Sequence, residues 1–534
     1  MGTISARVRD AATSVKILTE SGIVRPYSPV VLAGMLKTLK TWGTAPAGGF
    51  KTMALRRPDR TAIIDELGSL TFAEVHDRTN RLANALAARG VKTGDGVAVM
   101  CRNHRGFIEA SIAISKLGAD VLYLNTAFAG PQLADVVERE KPRVVIYDEE
   151  FESLLSGVDI NDRVVAWTDG EAGPDTLEGL IGSGSATEPT PPSRMGRTII
   201  LTSGTTGTPK GAPRPQGGIP AAVSLLSRMP LRSGWTCYVA APLFHTWGFA
   251  HYQLAMLLGT TLVLNRKFDP ETALDILEKH ECESFAVIPV MLQRILALPE
   301  ETLAKHSLPK LQAVASSGSA LPGDLPTQWM DRFGDNLYST YGSTEIAWAS
   351  IASPQDLREA PGTAGRLPLN TVVRIYDADG KEVPAGEPGR IFVGNDLQIE
   401  GYTGGGGKEM IDGLMSSGDV GRFDSEGRLF VEGRDDEMIV SGGENVFPKE
   451  VEDCLATHPA VTEVAALGVD DDDFGKRLRA FVVRSDESVT EDDLKGWVKQ
   501  NLARYKVPRE IVFLDELPRN ATGKVLKREL AEHE

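Results

Sequence analysis

RTIILTSGTTGTPKG, residues 197–211, decides how the rest of the chain is read. RTIIL is a short β-branched, apolar run of the kind that forms a buried strand, and it opens directly into a loop of Gly, Ser and Thr. Small residues let backbone N–H groups come close to phosphate oxygens. The hydroxyls of Thr202, Ser203, Thr205 and Thr206 add donors, Gly204 and Gly207 supply the room, and Lys210 adds positive charge. A phosphate cradle is therefore expected here. It departs from the Walker pattern, because Pro209 precedes the lysine and Gly211 follows it, so no ordinary P-loop helix is expected behind it.

Outward from this loop the pattern alternates. From Thr61 the chain runs TAIID, a helix-like TFAEVHDRTNRLANALAARG, VAVMC, a second helical stretch to Lys116, ADVLYL and PRVVIYD. Apolar runs alternating with helices predict βαβ units and a largely parallel sheet. Gly90 stands where a helix C-cap wants it, and residues 169–195, rich in Gly, Ser, Thr and Pro, read as a surface loop. Beyond about residue 436 the runs VTEVAALGV, AFVVR and EIVFLDE predict strands and DDLKGWVKQNL a helix. The expectation is an α/β protein: a large multi-subdomain N-terminal domain over residues 1–435 with mostly parallel sheets, then a small α+β domain over 436–534.

Composition narrows the function. At 534 residues the chain is too long for one hydrophobic core. Its formal net charge of -16 opposes nonspecific nucleic-acid binding, which needs clustered Lys and Arg. The scattered Cys101, Cys237, Cys282 and Cys454 form no CxxC pair, so neither a zinc site nor a disulfide framework is indicated and a cytoplasmic setting is expected. The longest apolar run, Leu254 to Leu264, is too short to cross a bilayer. Helical periodicity marks residues 4–20 and Pro29 to Trp42, the latter with Leu32, Met35, Leu36 and Leu39 on one face and Lys37 and Lys40 towards the other. Such a face either docks on the domain body or makes weak peripheral membrane contact.

Six further segments follow the phosphate loop: PLFHTWG (242–248), SSGSALP (316–322), YGSTE (341–345), SGD (417–419), GRDDEMIVSGGENVFP (433–448) and LPRNATGK (517–524). Together and in this order they resemble the adenylate-forming superfamily of acyl-CoA synthetases, amino-acid adenylation domains and luciferases, over a span from about Pro58 to the C-terminus. The resemblance implies an ATP-dependent, AMP-forming ligase that makes an acyl-adenylate and passes the acyl group to coenzyme A.

It also implies roles. A carboxylate attacking an anionic α-phosphate needs cations and dipoles placed in advance. Glu345 would hold Mg²⁺, a hard ion that prefers carboxylate oxygen, and Thr344 would donate to the phosphates. Tyr341 would pack on one face of adenine, beside Gly342, with Gly318, Ser319 and Ala320 along the other. Asp419 would accept from the ribose hydroxyls and Arg434 donate to the same region. Lys524 would bridge carboxylate and α-phosphate as charge shifts between them. In the resembling family the small domain swings about a hinge, matched here by Asp436, exchanging the lysine loop for the Gly442–Gly443 loop that admits CoA. Lys476, Arg477 and Arg479, or Arg504, Lys506 and Arg509, would then meet CoA phosphates.

His245 is placed between the carboxylate and an acyl pocket of Trp247, Phe249, Val287, Ile288, Val290 and Met291, apolar enough for a medium- or long-chain fatty acid and open to aryl acids too. Amino-acid adenylating members usually put an aspartate in this region to pair with the substrate amine. FHTWGF has none, and burying an unpartnered ammonium is costly, so amino acids are disfavoured. A ligase delivering to a carrier protein, a luciferase-like oxygenase and a noncatalytic nucleotide-binding regulator remain alternatives.

Overall fold

The computed structural model describes residues 2–202, 210–214, 218–437, 439–441, 444–471, 475–502, 506–520 and 523–533. Two sheets carry the α/β body. The first has six strands in the order Asp162–Trp167, Val144–Asp148, Gly96–Met100, Asp120–Tyr123, Thr198–Leu201 and Gly211–Arg214. All neighbours are parallel except the last pair, in which Leu201 lies opposite Gly211. The phosphate loop therefore joins two antiparallel strands, and its ends are clamped where the Thr202 N–H donates to the Lys210 carbonyl at 2.9 Å.

The second sheet has eight strands, ordered Ala347–Ala352, Leu337–Ser343, Ala313–Ser316, Ser284–Val287, Thr236–Val239, Thr261–Val263, Thr61–Asp65 and Gly68–Thr71, parallel inside and antiparallel at both edges. TAIID thus joins this sheet, with Ile63 opposite Leu262, although VAVMC is its neighbour in sequence. An apolar strand buried on both faces fits either sheet, and alternation alone does not name its partner.

Helix Arg105–Leu117 touches strands of both sheets and is buried on every side from Arg105 to Lys116. Its polar groups are paired. Glu109, fully buried, takes Arg78, and Arg105 forms an ion pair with Asp65. Lys116 donates to Thr79 Oγ1 at 2.7 Å and Asn80 Oδ1 at 2.6 Å. The expected C-cap stands: Gly90 has φ +90° after helix Phe72–Ala88, which starts from a Thr71–Glu74 capping box. The stretch expected as a loop over 169–195 contains helix Leu177–Ser183, because Leu177, Leu180 and Ile181 fall on one buried face and the Thr176 hydroxyl accepts from the Gly179 N–H.

Helix Pro29–Trp42 forms as the periodicity predicts, but it buries Thr38 and Trp42, while Leu32, Leu36 and Leu39 stay exposed. Among the described residues no helix is long and apolar enough to cross a membrane.

An antiparallel sheet, Val372–Tyr376, Gly389–Gly394, Leu414–Phe423, Met410–Ile411 and Leu429–Arg434, leads into the C-terminal unit. There Val461–Asp471 pairs antiparallel with Gly475–Arg484, which pairs parallel with Glu510–Phe513. Helices Pro448–Ala456 and Glu491–Asn501 cover this sheet through Val451, Leu455, Leu494 and Val498. The fold class is as expected: α/β with mostly parallel sheets, followed by a smaller α+β unit.

One buried side chain ties the first sheet to the loop that ends at His245. Asn103 Nδ2 donates to the carbonyls of Val239 at 3.0 Å and Ala241 at 2.9 Å, and its Oδ1 accepts from the Leu243 N–H at 2.9 Å. Asn103→Leu leaves three backbone groups unsatisfied and is expected to cost about 3 kcal/mol or more, since each orphaned buried polar group costs roughly 1–3. A lower thermal midpoint is the readout; an unchanged one contradicts the clamp.

Candidate active site

The parallel strands of both sheets point their C-terminal ends at one cleft, the usual ligand position in open α/β sheets. Strand Thr198–Leu201 delivers Thr202, Ser284–Val287 delivers Ile288, Ala313–Ser316 delivers Gly318, and Thr236–Val239 leads to His245. The cavity they surround measures about 830 Å³.

Eleven of the residues singled out in the sequence meet there. Thr202, Lys210, His245, Trp247, Ile288, Gly318, Gly342, Thr344, Glu345, Arg434 and Lys524 all line it. Ser203, Gly204, Thr205, Thr206, Gly207, Gly442 and Gly443 lie outside the described residues, as does Arg504. Asp436 sits in the single turn Asp435–Glu437 at the junction with the C-terminal unit, and its side chain is also outside them.

Glu345 is held on both oxygens. Ser343 Oγ donates to Oε2 at 2.9 Å and the Tyr402 hydroxyl to Oε1 at 3.0 Å, while Lys210 Nζ stands 5.1 Å from the centre of the Tyr402 ring. Thr344 Oγ1 accepts from Thr246 Oγ1 at 3.3 Å. His245 is kept neutral, because burial pushes its pKa down to about 3, and its Nε2 has no partner among the described residues.

Tyr341 and Asp419 stand behind the wall, joined by a 2.5 Å hydrogen bond from the phenol to Oδ2. Burial raises the Asp419 pKa, against the pull of Tyr341, Arg434, Lys408 and Lys524. Arg434 Nη1 lies 3.5 Å from Oδ1. The Asp419 N–H donates to Ser417 Oγ at 3.1 Å. Gly418 has φ +83°, a backbone conformation that favours glycine, and a Cβ there would sit 3.2 Å from Arg434 Nη1 and from Lys408 Nζ.

Lys524 arrives on a tight loop. Its N–H donates to Asn520 Oδ1 at 3.0 Å, and Arg519 Nη1 donates to the Gly523 carbonyl at 2.6 Å. Gly523 has φ +75°, and a Cβ there would lie 2.5 Å from Val290 Cγ1. Burial, then Arg434, lowers the Lys524 pKa.

Several residues fall elsewhere than expected. Ser319 and Ala320 are exposed beyond the cleft edge. Val287 is fully buried core, Val290 backs the lysine loop, and Met291 packs in the same core as Val287. Phe249 packs on Tyr123 and Tyr252 and borders a separate, smaller cavity. Strand and helix positions beside a cleft alternate between wall and core, and the motif does not say which. Arg477 and Arg479 are ion-paired with Glu510, and Lys506 with Glu450. Arg139, Trp348, Tyr402 and Lys408 line the cleft without having been singled out. The run GGGGK at 404–408, a flexible turn ending in a cation, was the signal for Lys408.

The AMP-binding enzyme family matches residues 50–403, and its C-terminal domain matches 450–524. A feruloyl-CoA synthase of Amycolatopsis sp. is 34% identical, with 89% of this chain and 96% of that protein covered. A 2-succinylbenzoate–CoA ligase of Bacillus thuringiensis is 32% identical, covering 93% and 98%. The crystal structure of the anthranilate CoA ligase AuaEII in complex with anthranoyl-AMP superposes with a TM-score of 0.82 at 26% identity, covering 91% and 96%. With its motif residues gathered at one cleft, the chain belongs to the AMP-binding enzyme family and is an ATP-dependent, AMP-forming carboxylate–CoA ligase that works through an acyl-adenylate.

Proposed function

We propose that the cleft adenylates an aromatic carboxylic acid and that the small domain, residues 436–534, then turns about Asp436 to let CoA take the acyl group. One observation carries this: Lys524, from the C-terminal unit, lines the same cavity as Thr344 and Glu345. In the first step a carboxylate oxygen of the acid bonds to the α-phosphorus and pyrophosphate leaves. Lys524 and Arg434 offset charge on the acid and the α-phosphate, and Lys210 and Thr202 meet the β- and γ-phosphates. In the second, the CoA thiol bonds to the acyl carbon and AMP leaves, with Gly442 and Gly443 in place of the lysine loop.

Glu345 fits Mg²⁺, since its carboxylate is fixed by Ser343 and Tyr402 yet keeps a free lone-pair direction on each oxygen. The ion would supply charge neutralisation at the phosphates. The neutral His245 imidazole can donate one hydrogen bond to the acid carboxylate without adding charge.

The apolar lining of the cleft includes two indoles, Trp247 and Trp348, together with Ala250 and Ile288. Flat walls of this kind suit an aryl ring. Feruloyl and 2-succinylbenzoate, named in the relatives, are aromatic acids too. A medium- or long-chain fatty acid, the alternative from the sequence, finds less support, because Val287, Val290 and Met291 do not line the cleft.

Incubation with ATP, Mg²⁺ and a panel of aryl and alkyl acids is expected to release pyrophosphate fastest with aryl acids and to yield thioester when CoA is added. Pyrophosphate without thioester would instead favour a carrier-protein acceptor, and no product from any acid would favour a regulator. In Lys524→Ala, adenylate formation should fall about 10²–10³-fold, the scale of removing one transition-state donor, whereas thioester formation from supplied acyl-adenylate should change far less; equal losses would contradict the lysine's role. The lysine acts protonated, so a depressed pKa places the alkaline limb of adenylation below the ordinary lysine value of ~10.4. Arg434→Gln removes a repelling cation and should move that limb upward, and a limb that does not move refutes the coupling.

A further inference from the structure

Arg214 ends the strand that returns from the phosphate loop, and its guanidinium sits in the wall between Thr246 and Thr344. Nη2 donates to the Thr344 carbonyl at 2.5 Å and to Thr246 Oγ1 at 3.1 Å. Nε is buried without a partner, and Nη1 makes no hydrogen bond among the described residues. No carboxylate lies within ion-pair distance of it there; Glu345 is the acid whose charge reaches it, and that carboxylate already takes Ser343 and Tyr402. Burial pushes the guanidinium down to about 10.

The same residue borders a second cavity, of about 60 Å³, which shares the lining residues Thr246, Ala250 and Trp348 with the main cleft and is also lined by Phe249 and Gln253. That is room for a group of a few atoms, given that a water takes roughly 30 Å³ of liquid. A charge removed from water is costly unless paired, and truncating a partner of such a pair is felt strongly. Guanidinium also matches carboxylate geometry better than ammonium does.

From this geometry we infer that the acid substrate is a diacid: one carboxylate is adenylated in the main cleft, and a second, at the far end of the aryl group, is bound by Arg214 in the smaller cavity. This rests on the acid-adenylating reading of the main cleft. Arg214 is then a specificity-determining residue, and its ties to Thr246 and Thr344 fix the distance between the two carboxylates.

The test compares, by pyrophosphate release, aryl diacids with their mono-amides and with analogues bearing a hydroxyl at the same place. The diacid is expected to be favoured by at least about 100-fold in kcat/KM, because a site built to bond a buried polar group can discriminate by up to roughly 10⁴–10⁵. In Arg214→Met both rates fall, because Thr246 and Thr344 lose a tie, but the ratio should shrink to within about threefold, the size of an unspecific effect. Arg214→Lys, which keeps the charge but loses the planar fork, should show a preference between those of the wild type and Arg214→Met. A wild-type enzyme indifferent to the second carboxylate, a hydroxyl analogue turned over as well as the diacid, or a preference that survives Arg214→Met overturns the inference. Should Arg214→Met fail to fold, the wild-type ratio and the lysine variant still decide it. Monoacids adenylated as well as diacids sink only this inference, whereas no pyrophosphate from any acid sinks the adenylation reading as well.

Discussion

Two anions must be brought to bonding distance, a carboxylate and the α-phosphate of ATP, and their repulsion governs how the cleft is built. In water the charges would be screened; in a cavity walled by apolar side chains they are felt at longer range. The cleft answers with basic groups from distant parts of the chain: Arg139, Lys210, Lys408, Arg434 and Lys524 all line it, against the carboxylate of Glu345. This concentration sits inside a protein of formal net charge -16, so it is a local arrangement set by the fold. The interior also makes the cations expensive to hold, as the lowered pKa of Lys524, with Arg434 as a repelling neighbour, shows.

The fold keeps these cations apart yet aimed at one volume by drawing each from a different element. Strand ends of two sheets supply the backbone-rich positions, the antiparallel sheet supplies Arg434, and the C-terminal unit supplies Lys524 on its own loop. Rigid connections matter more than the number of contacts. Asn103 holds the loop before His245, Tyr341 holds Asp419, and Tyr402 with Ser343 holds Glu345, so that the charged groups have little freedom left to collapse onto one another. A preorganised site of this kind pays its ordering cost during folding, before the reactants arrive.

How much of this could be read in advance depended on whether a residue's job is local. Loops rich in small residues and helix caps follow from backbone conformation and residue type, so the place of Thr202, Lys210 and Glu345 at the cleft and the Gly90 cap were legible. Wall and core positions of the acyl pocket were not, because Val287 and Ile288 are neighbours with opposite fates, one buried in the sheet and one facing the cleft. Strand partnership was hidden for the same reason: nothing in TAIID distinguishes Leu262 from its sequence neighbours as the residue it will face. Arg139 and Arg214 belong to no motif that the sequence presents, and their place in or beside the cleft exists only once both sheets are assembled.

On the proposed two-step reading, the division of labour between the two units would follow from the same charges. While triphosphate and carboxylate are both present, the negative charge in the cleft favours a docked, protonated Lys524 despite its burial. Once pyrophosphate departs, most of that negative charge leaves with it, and Arg434 continues to repel the lysine from the inside. Gly523 fits against Val290 with no room for a Cβ, so the loop has a close seat but no side chain of its own to anchor it there. On that reading its hold weakens when pyrophosphate takes its charge away, at the step where the thiol needs the space. A hinge in such a protein need not be driven by new contacts; the reaction's own loss of charge shifts the balance between the docked and the open arrangement.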